Sequence, residues 1–386
     1  MMKKMKHGLY IVNFGYKITD AEKKQNGVLK KIIGQIKVFN DAGFKVDLLN
    51  VSENKGNYLS KFFYSLFYKN QYLLNNYDAV ENIDFVYVRH FSPVNRGCLG
   101  LLSYLKKNGC KIIYEIPTYP YDGEHKGFKG FVFLGIDKIF RKKLRRYVDC
   151  IVTYSQDNTI FDIKTVKIVN GIDCSTISPV DVTEYRQDID RIPTEAAIRL
   201  IAVAQFAKWH GYDRLIEGLY EYYKNNPKKK VFLDFVGDGS VLSQYQEMVN
   251  KYGVAQYVVF HGVLTGAALS AVFNQADVAV CSLGCHRIGI FLGSFLKSRE
   301  YIARGLPMIS STKIDILPND YQYIQYVSED DSPIDINAVI NFYDRLIRRE
   351  NRELRIKNIR SFAENNCDMH ITMQSVIDNI LNIPFK

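Results

Sequence analysis

The sequence predicts an α/β protein with two open parallel sheets in series, and three observations carry that prediction. Short apolar runs alternate with longer stretches whose apolar residues recur every three or four positions, the pattern of strands joined by crossover helices. The alternation occurs twice, on either side of a stretch at 173–195 that has no clear period and holds Pro179 and Pro193. The 386 residues exceed one ordinary domain, and an apolar content of 47% is enough for two cores.

The elements follow in order. Lysines precede the apolar run Leu9 to Val12, which is too short for a signal-peptide core and reads as a first buried strand ending at Asn13. Further strands are expected at Lys45 to Leu49, Phe85 to Arg89, Lys111 to Glu115, Cys150 to Thr153 and Thr165 to Ile168. A helix from Gly27 to Ala42 would turn Val28, Ile32, Ile36 and Phe39 inward. The second series has strands at Arg199 to Ala204, Val231 to Val236, Tyr257 to His261, Val278 to Cys281, Met308 to Ser310 and Ile324 to Val327. Its helices are expected at Tyr212 to Asn225, Leu242 to Tyr252, Ala267 to Gln275 and Phe295 to Arg304. From Asp335 the chain is helical, with one stripe of Val339, Phe342 and Leu346 and another of Phe362, His370, Met373, Val376 and Ile380. The expected division is 1–178, a connection at 179–194, 195–360, and a helical segment 361–386 that packs back toward the first domain.

Composition excludes several classes. With 51 Lys and Arg against 41 Asp and Glu the net charge is +10, yet only 24% of residues are charged, so the chain is basic without being disordered. Nucleic acid is excluded as a partner because no zinc finger, recognition helix or RNA-reading strand motif accompanies the charge. The seven cysteines form no disulfide framework and fit a reducing compartment. Cys281, Cys285 and His286 lack the further ligands of a zinc site, so no metal is expected. The longest poorly charged stretch, Tyr257 to Ala276, is interrupted by His261, Asn274 and Gln275 and is not a membrane span.

Four motifs lie where ligands meet such sheets, at strand C-terminal ends. Asn13-Phe14-Gly15-Tyr16 follows the first strand, where Gly15 permits close approach of a ligand, although the repeated glycines of a dinucleotide fingerprint are absent. Val236-Gly237-Asp238-Gly239-Ser240 exposes backbone donors suited to phosphate or ribose, and Asn170-Gly171-Ile172-Asp173 is a tight turn at the domain crossing. Strand-to-helix turns need glycine in any case, so these carry weight only in company. The strongest signal is the run from Phe295 to Pro307: Glu300 can accept both hydroxyls of a ribose, and Lys297, one turn earlier, can balance a diphosphate.

With these residues the chain resembles the retaining glycosyltransferases of the large bacterial family called family 4. The Glu300 segment resembles the family's glutamate, glycine, proline block; Val203 to Gly211 resembles its phosphate-contacting loop, and Gly237-Asp238-Gly239 its glycine turn. The resemblance implies the GT-B architecture, two facing Rossmann-like domains with a final helix crossing back, the first domain on the acceptor side and the second binding a nucleotide-diphosphate sugar. It implies a UDP-sugar as substrate and no tightly bound cofactor. Donor contacts fall on Gly15, Gln205, Lys208, His210, Gly237, Gly239, His286, Arg287, Lys297, Arg299 and Glu300, and catalytic roles on His90 and Glu300. Two departures stand out. Leu292 occupies the position of an earlier glutamate, and Gln205 and His210 replace the usual arginine and lysine, leaving Lys208, His210, Lys297 or Arg299 to supply positive charge. His210 reads alternatively as a structural partner of Trp209.

On the acceptor side His90, Glu115 and Tyr119 follow strand ends, with Glu115 readable as acceptor-facing or structural. Aromatic and basic residues concentrate at Tyr58 to Tyr77 and again from His125 to Arg146, a combination that suits an anionic membrane interface as well as a solvated helix face. The expected protein is a retaining hexosyltransferase of cell-surface polysaccharide synthesis, of the capsule or exopolysaccharide kind, acting on a glycan or lipid-linked oligosaccharide at the cytoplasmic face of the membrane. An epimerase or hydrolase of the same fold, or a noncatalytic glycan- or lipid-binding relative, are the alternatives.

Overall fold

The computed structural model describes residues 5–14, 27–50, 82–124, 127–184 and 197–382. The chain divides into two compact units, Met1–Val169 with Thr372–Lys386, and Asn170–Ile371. The crossing therefore falls at 169/170 rather than 178, and 361–371 belong to the second unit. Gly15, the aromatic stretch 58–77, His125, Lys126 and most of the connection 179–194 lie outside the described residues.

In the first unit, β1 (Lys6–Val12), β2 (Phe44–Asn50), β3 (Phe85–Arg89), β4 (Lys111–Ile116), β5 (Cys150–Thr153), β6 (Thr159–Ile160) and β7 (Ile163–Lys167) form one sheet in the order β2-β1-β3-β4-β5-β7-β6. All pairs are parallel except β6 with β7. β1 is flanked on both edges and covered on both faces, which is why its sequence is a continuous apolar run. The helices are α1 (Gly27–Asp41), α2 (Arg96–Lys107) and α3 (Gly127–Phe140).

The phase of α1 differs from the periodicity expectation. Val28 is exposed, and the inward face carries Leu29, Ile32 and Phe39 together with Lys31 and Gln35. The cause is Glu115 on β4, fully buried in the sheet. Its carboxylate accepts from Arg89 Nη1 at 2.8 Å and Gln35 Nε2 at 3.2 Å, lies 3.3 Å from the Tyr10 and Tyr154 hydroxyls, and has Lys31 Nζ at 3.8 Å. A buried carboxylate is tolerated only when paired, so the helix rotates its polar residues toward it.

In the second unit, β8 (Ala197–Phe206), β9 (Lys230–Gly239), β10 (Val258–Phe260), β11 (Val278–Val280), β13 (Met308–Ser310) and β15 (Ile324–Tyr326) form a parallel sheet in the order β10-β9-β8-β11-β13-β15, with β12 (Leu292–Gly293) and β14 (Lys313–Ile314) paired beside it. This is the 3-2-1-4-5-6 order of a Rossmann sheet, whose switch point lies between β8 and β11. Its helices are α4 (Tyr212–Tyr223), α5 (Leu242–Lys251), α6 (Gly266–Gln275), α7 (Leu296–Ala303), α8 (Ile336–Arg349) and α9 (Arg352–Asn366), and the chain leaves it within the short α10 (Met369–Thr372). The expected single stripe from Phe362 to Ile380 is broken after α9, where Asp368 turns to accept from the Cys174 N–H at 3.0 Å. The last helix, α11 (Gln374–Asn382), belongs to the first unit: Asn379 Oδ1 lies 3.2 Å from Cys150 Sγ, and Met373 Sδ, just before it, lies 3.5 Å from Gln35 Nε2. Among the described residues no helix is long and apolar enough to cross a membrane.

Replacing Glu115 by Gln keeps its shape but leaves Arg89 and Lys31 without their counter-charge. The Glu115→Gln variant should lose about 3–5 kcal/mol of unfolding free energy in urea titration; a loss below about 1 kcal/mol would show that the cluster does not hold α1 to the sheet.

Candidate functional site

The switch point of the second sheet carries most of the residues that the sequence singles out. β8 and β9 pair backbone to backbone to their very ends, with Gln205 opposite Asp238. Gly237, at φ +132°, makes this possible, since a Cβ there would sit 1.9 Å from the Ala204 carbonyl oxygen. Gln205 is left exposed at the mouth, and Phe206 turns inward against Tyr212, Phe235 and Tyr245.

The chain then makes a single turn, Lys208–His210, closed by Gly211 at φ +66°. This turn is locked against the loop after β11. A Cβ on Gly211 would lie 2.5 Å from the Gly284 nitrogen, and the Leu283 N–H donates to the His210 carbonyl at 2.7 Å. Arg214 on α4, fully buried, donates to the carbonyls of Leu283 and Ser332 (2.7 Å for the latter) and to the Ser328 hydroxyl (2.9 Å). The Tyr301 hydroxyl accepts from the Val203 N–H at 3.0 Å and lies 3.3 Å from the Val280 carbonyl, tying α7 across the β8/β11 gap. Sequence reasoning missed Arg214 and the Tyr301 hydroxyl; a charged residue on the apolar face of a helix was the available signal for the first.

The basic residues divide sharply. Arg299, expected at the donor, is fully buried and donates to the Asn170 carbonyl at 3.0 Å and to Asp315. It holds the 170–173 turn to the start of α7 and has no reach to spare. Arg287 makes a bidentate pair with Asp213 (2.9 and 2.8 Å) and a further bond to Asp331 (2.7 Å), and His286 Nε2 sits 3.1 Å from the same Asp331. Both face carboxylates, and these pairs tie the loop down. Lys208 is exposed on the turn.

His210 is not a cation. Burial, and then the nearby Lys297 ammonium, push its ring down to about 3. Its Nδ1 accepts from the Ala207 N–H at 3.0 Å, so the neutral ring carries its proton on Nε2 and can act as a hydrogen-bond donor. The ring stacks on Tyr212 with centroids 5.5 Å apart, and Trp209 lies tilted at 5.8 Å.

Lys297 stands apart. It projects from the first turn of α7, half-buried, with Nζ 3.4 Å from the Tyr212 hydroxyl and 5.6 Å from that ring's centre. No described carboxylate pairs with it, and burial drives its pKa down. Phe295, the cap residue of α7, offers no side-chain acceptor to the helix's first N–H groups. Glu300, one turn on and half-buried, accepts Arg304 through Oε1 alone, at 3.0 and 2.9 Å. Leu292 is 58% exposed, and Gly239, like Gly237, packs directly on β8.

In the first unit, His90 follows β3 on the same sheet end as Asn13 and Phe14 after β1. Its Nδ1 lies 3.3 Å from the Tyr114 hydroxyl and its ring 4.6 Å from that of Tyr121. The half-buried Tyr119 packs edge-on against Tyr121 and Phe161. Glu115 is below this surface, wholly enclosed, and is a fold-holding carboxylate rather than an acceptor-facing one.

The family model described as glycosyl transferases group 1 matches residues 186–318. No curated protein matches the chain. Among solved structures, a sucrose-phosphate synthase from Thermosynechococcus elongatus is 14% identical with a TM-score of 0.64, over 98% of this chain and 100% of that one. A glycosyltransferase from Rickettsia africae is 11% identical with a TM-score of 0.60, over 99% and 100%. HepE of Anabaena, in complex with UDP and glucose, is 14% identical with a TM-score of 0.59, over 98% and 100%. The chain has the GT-B architecture, built from two Rossmann-like domains.

The His210 ring should show no titration by NMR between about pH 8 and about pH 5. Because the unfolded ring takes up a proton near 6.5 and the folded one only near 3, stability should fall as pH drops through that window, and His210→Gln should flatten the fall. A ring titrating near its ordinary value would contradict the buried, neutral assignment.

Proposed function

We propose that the protein is a retaining glycosyltransferase of the family 4 kind that moves a hexosyl group from a UDP-sugar to a glycan or lipid-linked acceptor in cell-surface polysaccharide synthesis, working at the cytoplasmic face of the membrane. The observation that carries the donor half is Lys297. A half-buried ammonium without a described carboxylate partner is costly, and it sits in the first turn of a helix whose cap residue offers no side-chain acceptor. A diphosphate would supply the missing negative charge. Glu300, with Oε1 held by Arg304, leaves Oε2 for ribose hydroxyls.

Transfer then needs stabilisation of the departing nucleotide. The bond from the sugar's C1 to the β-phosphate oxygen breaks with its electron pair going to that oxygen. The acceptor hydroxyl forms the new C1–O bond, and its proton passes to the departing phosphate. Lys297 and the backbone donors meet the charge as it develops. Leu292 supplies no carboxylate near the donor sugar, which favours a route in which the phosphate itself takes the proton and attack comes from its own face. HepE's complex with UDP and glucose supports the choice of donor class, and His90 is the polar group we assign to the acceptor side.

Lys297→Met provides the test. UDP affinity by calorimetry should weaken about tenfold to a hundredfold, the worth of a charge-assisted contact, while the urea midpoint stays level or rises because an uncompensated charge has left the interior. Unchanged UDP affinity would remove the donor assignment. Incubation with UDP-sugars and extracted lipid-linked acceptors, following glycosylated product and UDP together, separates the alternatives: UDP without product marks a hydrolase, an isomeric nucleotide sugar an epimerase, and binding alone a noncatalytic relative. The anomeric coupling of the product reads retention.

A further inference from the structure

The α3 helix is turned inside out relative to a solvated amphipathic helix. Its single acidic residue, Asp137, is its buried one; Phe128, Phe131 and Ile139 are 84%, 74% and 62% exposed. These three share one face with Gly135, itself exposed, at helical spacing. Asp137 fixes this orientation by accepting from the Val94 N–H and the Tyr121 hydroxyl, each at 2.8 Å. Arg141 braces the end, bonding Asp122 at 2.5 Å and lying over the Tyr121 and Phe161 rings.

Basic residues surround the apolar face. Residues 127–146 contain seven Lys and Arg and one acid. Lys138 pairs with Asp122 and Arg145 with Asp162, but Lys142, Lys143 and Arg146, all exposed on the turn that follows, have no carboxylate partner among the described residues. Two copies meeting through this face would bring these like charges together, whereas anionic headgroups would neutralise them while the rings enter the acyl boundary.

We propose that α3 and the basic turn 141–146 form a docking surface for an anionic lipid bilayer, with Phe128, Phe131 and Ile139 inserted. The same Tyr121 that anchors Asp137 packs 4.6 Å from His90, so the docked surface and the His90 wall share a support within the first unit. This extends the proposed function by naming how a lipid-linked acceptor would be met, but the binding itself needs no nucleotide and stands or falls separately from transfer.

The full chain is sedimented with vesicles of phosphatidylcholine alone and of phosphatidylcholine mixed with phosphatidylglycerol, without nucleotide. Wild type should bind the mixed vesicles and not the neutral ones, and binding should weaken with added salt. Phe128→Ser/Phe131→Ser, at exposed positions, should bind at least about tenfold more weakly with an unchanged melting profile. Lys142→Ser/Lys143→Ser should lose about tenfold and much of the salt dependence. Equal binding by wild type and the phenylalanine variant, or no binding to either vesicle, would overturn the proposal. So would a wild-type dimer in solution that the phenylalanine variant converts to monomer. In every case UDP calorimetry reports on the donor site independently.

Discussion

The second unit depends on the near contact of two backbones at its switch point. Gly211 and Gly284 approach so closely that a Cβ on either would collide with the other's main chain. That approach brings the Leu283 N–H onto the His210 carbonyl and lets one buried guanidinium, Arg214, clasp the second loop. The loops after β8 and β11 thereby become a single rigid lip instead of two mobile connections. Everything placed on it inherits the rigidity, including the orientation of His210 and the position of Tyr212, on whose hydroxyl Lys297 rests. A site built on such a lip is preorganised, which is what electrostatic stabilisation of a leaving group requires.

Around this lip the charges are sorted by pairing. Arg287 is matched by Asp213 and Asp331, Arg299 by Asp315, and Arg304 by Glu300. Each of these arginines would otherwise compete for a ligand's phosphate, and each instead fixes a loop or helix. Lys297 pairs with no described carboxylate, and it is partly desolvated, so its field is strong at short range. Its depressed pKa has the same origin as its usefulness: water does not share the charge. An anion arriving there would raise that pKa again, coupling ligand binding to full protonation of the lysine.

How much of this was legible in the sequence follows from the range of the interactions involved. Strands Phe85 to Arg89, Cys150 to Thr153 and Met308 to Ser310 coincide with the expectation, because burial on both faces writes itself as a local apolar run. The glycine turns at 211 and 237–239 are likewise local. The phase of α1 was not legible, since its cause, Glu115, lies eighty residues from Gln35 and looks like any strand-end carboxylate. The partners of Arg299 and Arg287 were not legible for the same reason: they stand 16 and 74 residues away. Charge assignments from sequence count cations, whereas a site is decided by which cations remain unpaired.

The same logic gives meaning to the net charge. A single buried acid sets the orientation of α1 and of α3, but with opposite outcomes. Glu115 lies in the sheet and draws the polar residues of its neighbouring helix inward. Asp137 lies in the helix and, by being the group that must find partners inside, forces the rest of α3 to present its apolar residues outward. Burying Asp137 on the solvent-averse side costs desolvation, visible as a carboxyl held above its ordinary range by burial despite the donors around it. The same orientation leaves Phe128 and Phe131 at the surface. Seven of the chain's basic residues fall within the twenty of α3 and the turn that follows it, so part of the +10 charge is concentrated in one short segment of the first unit.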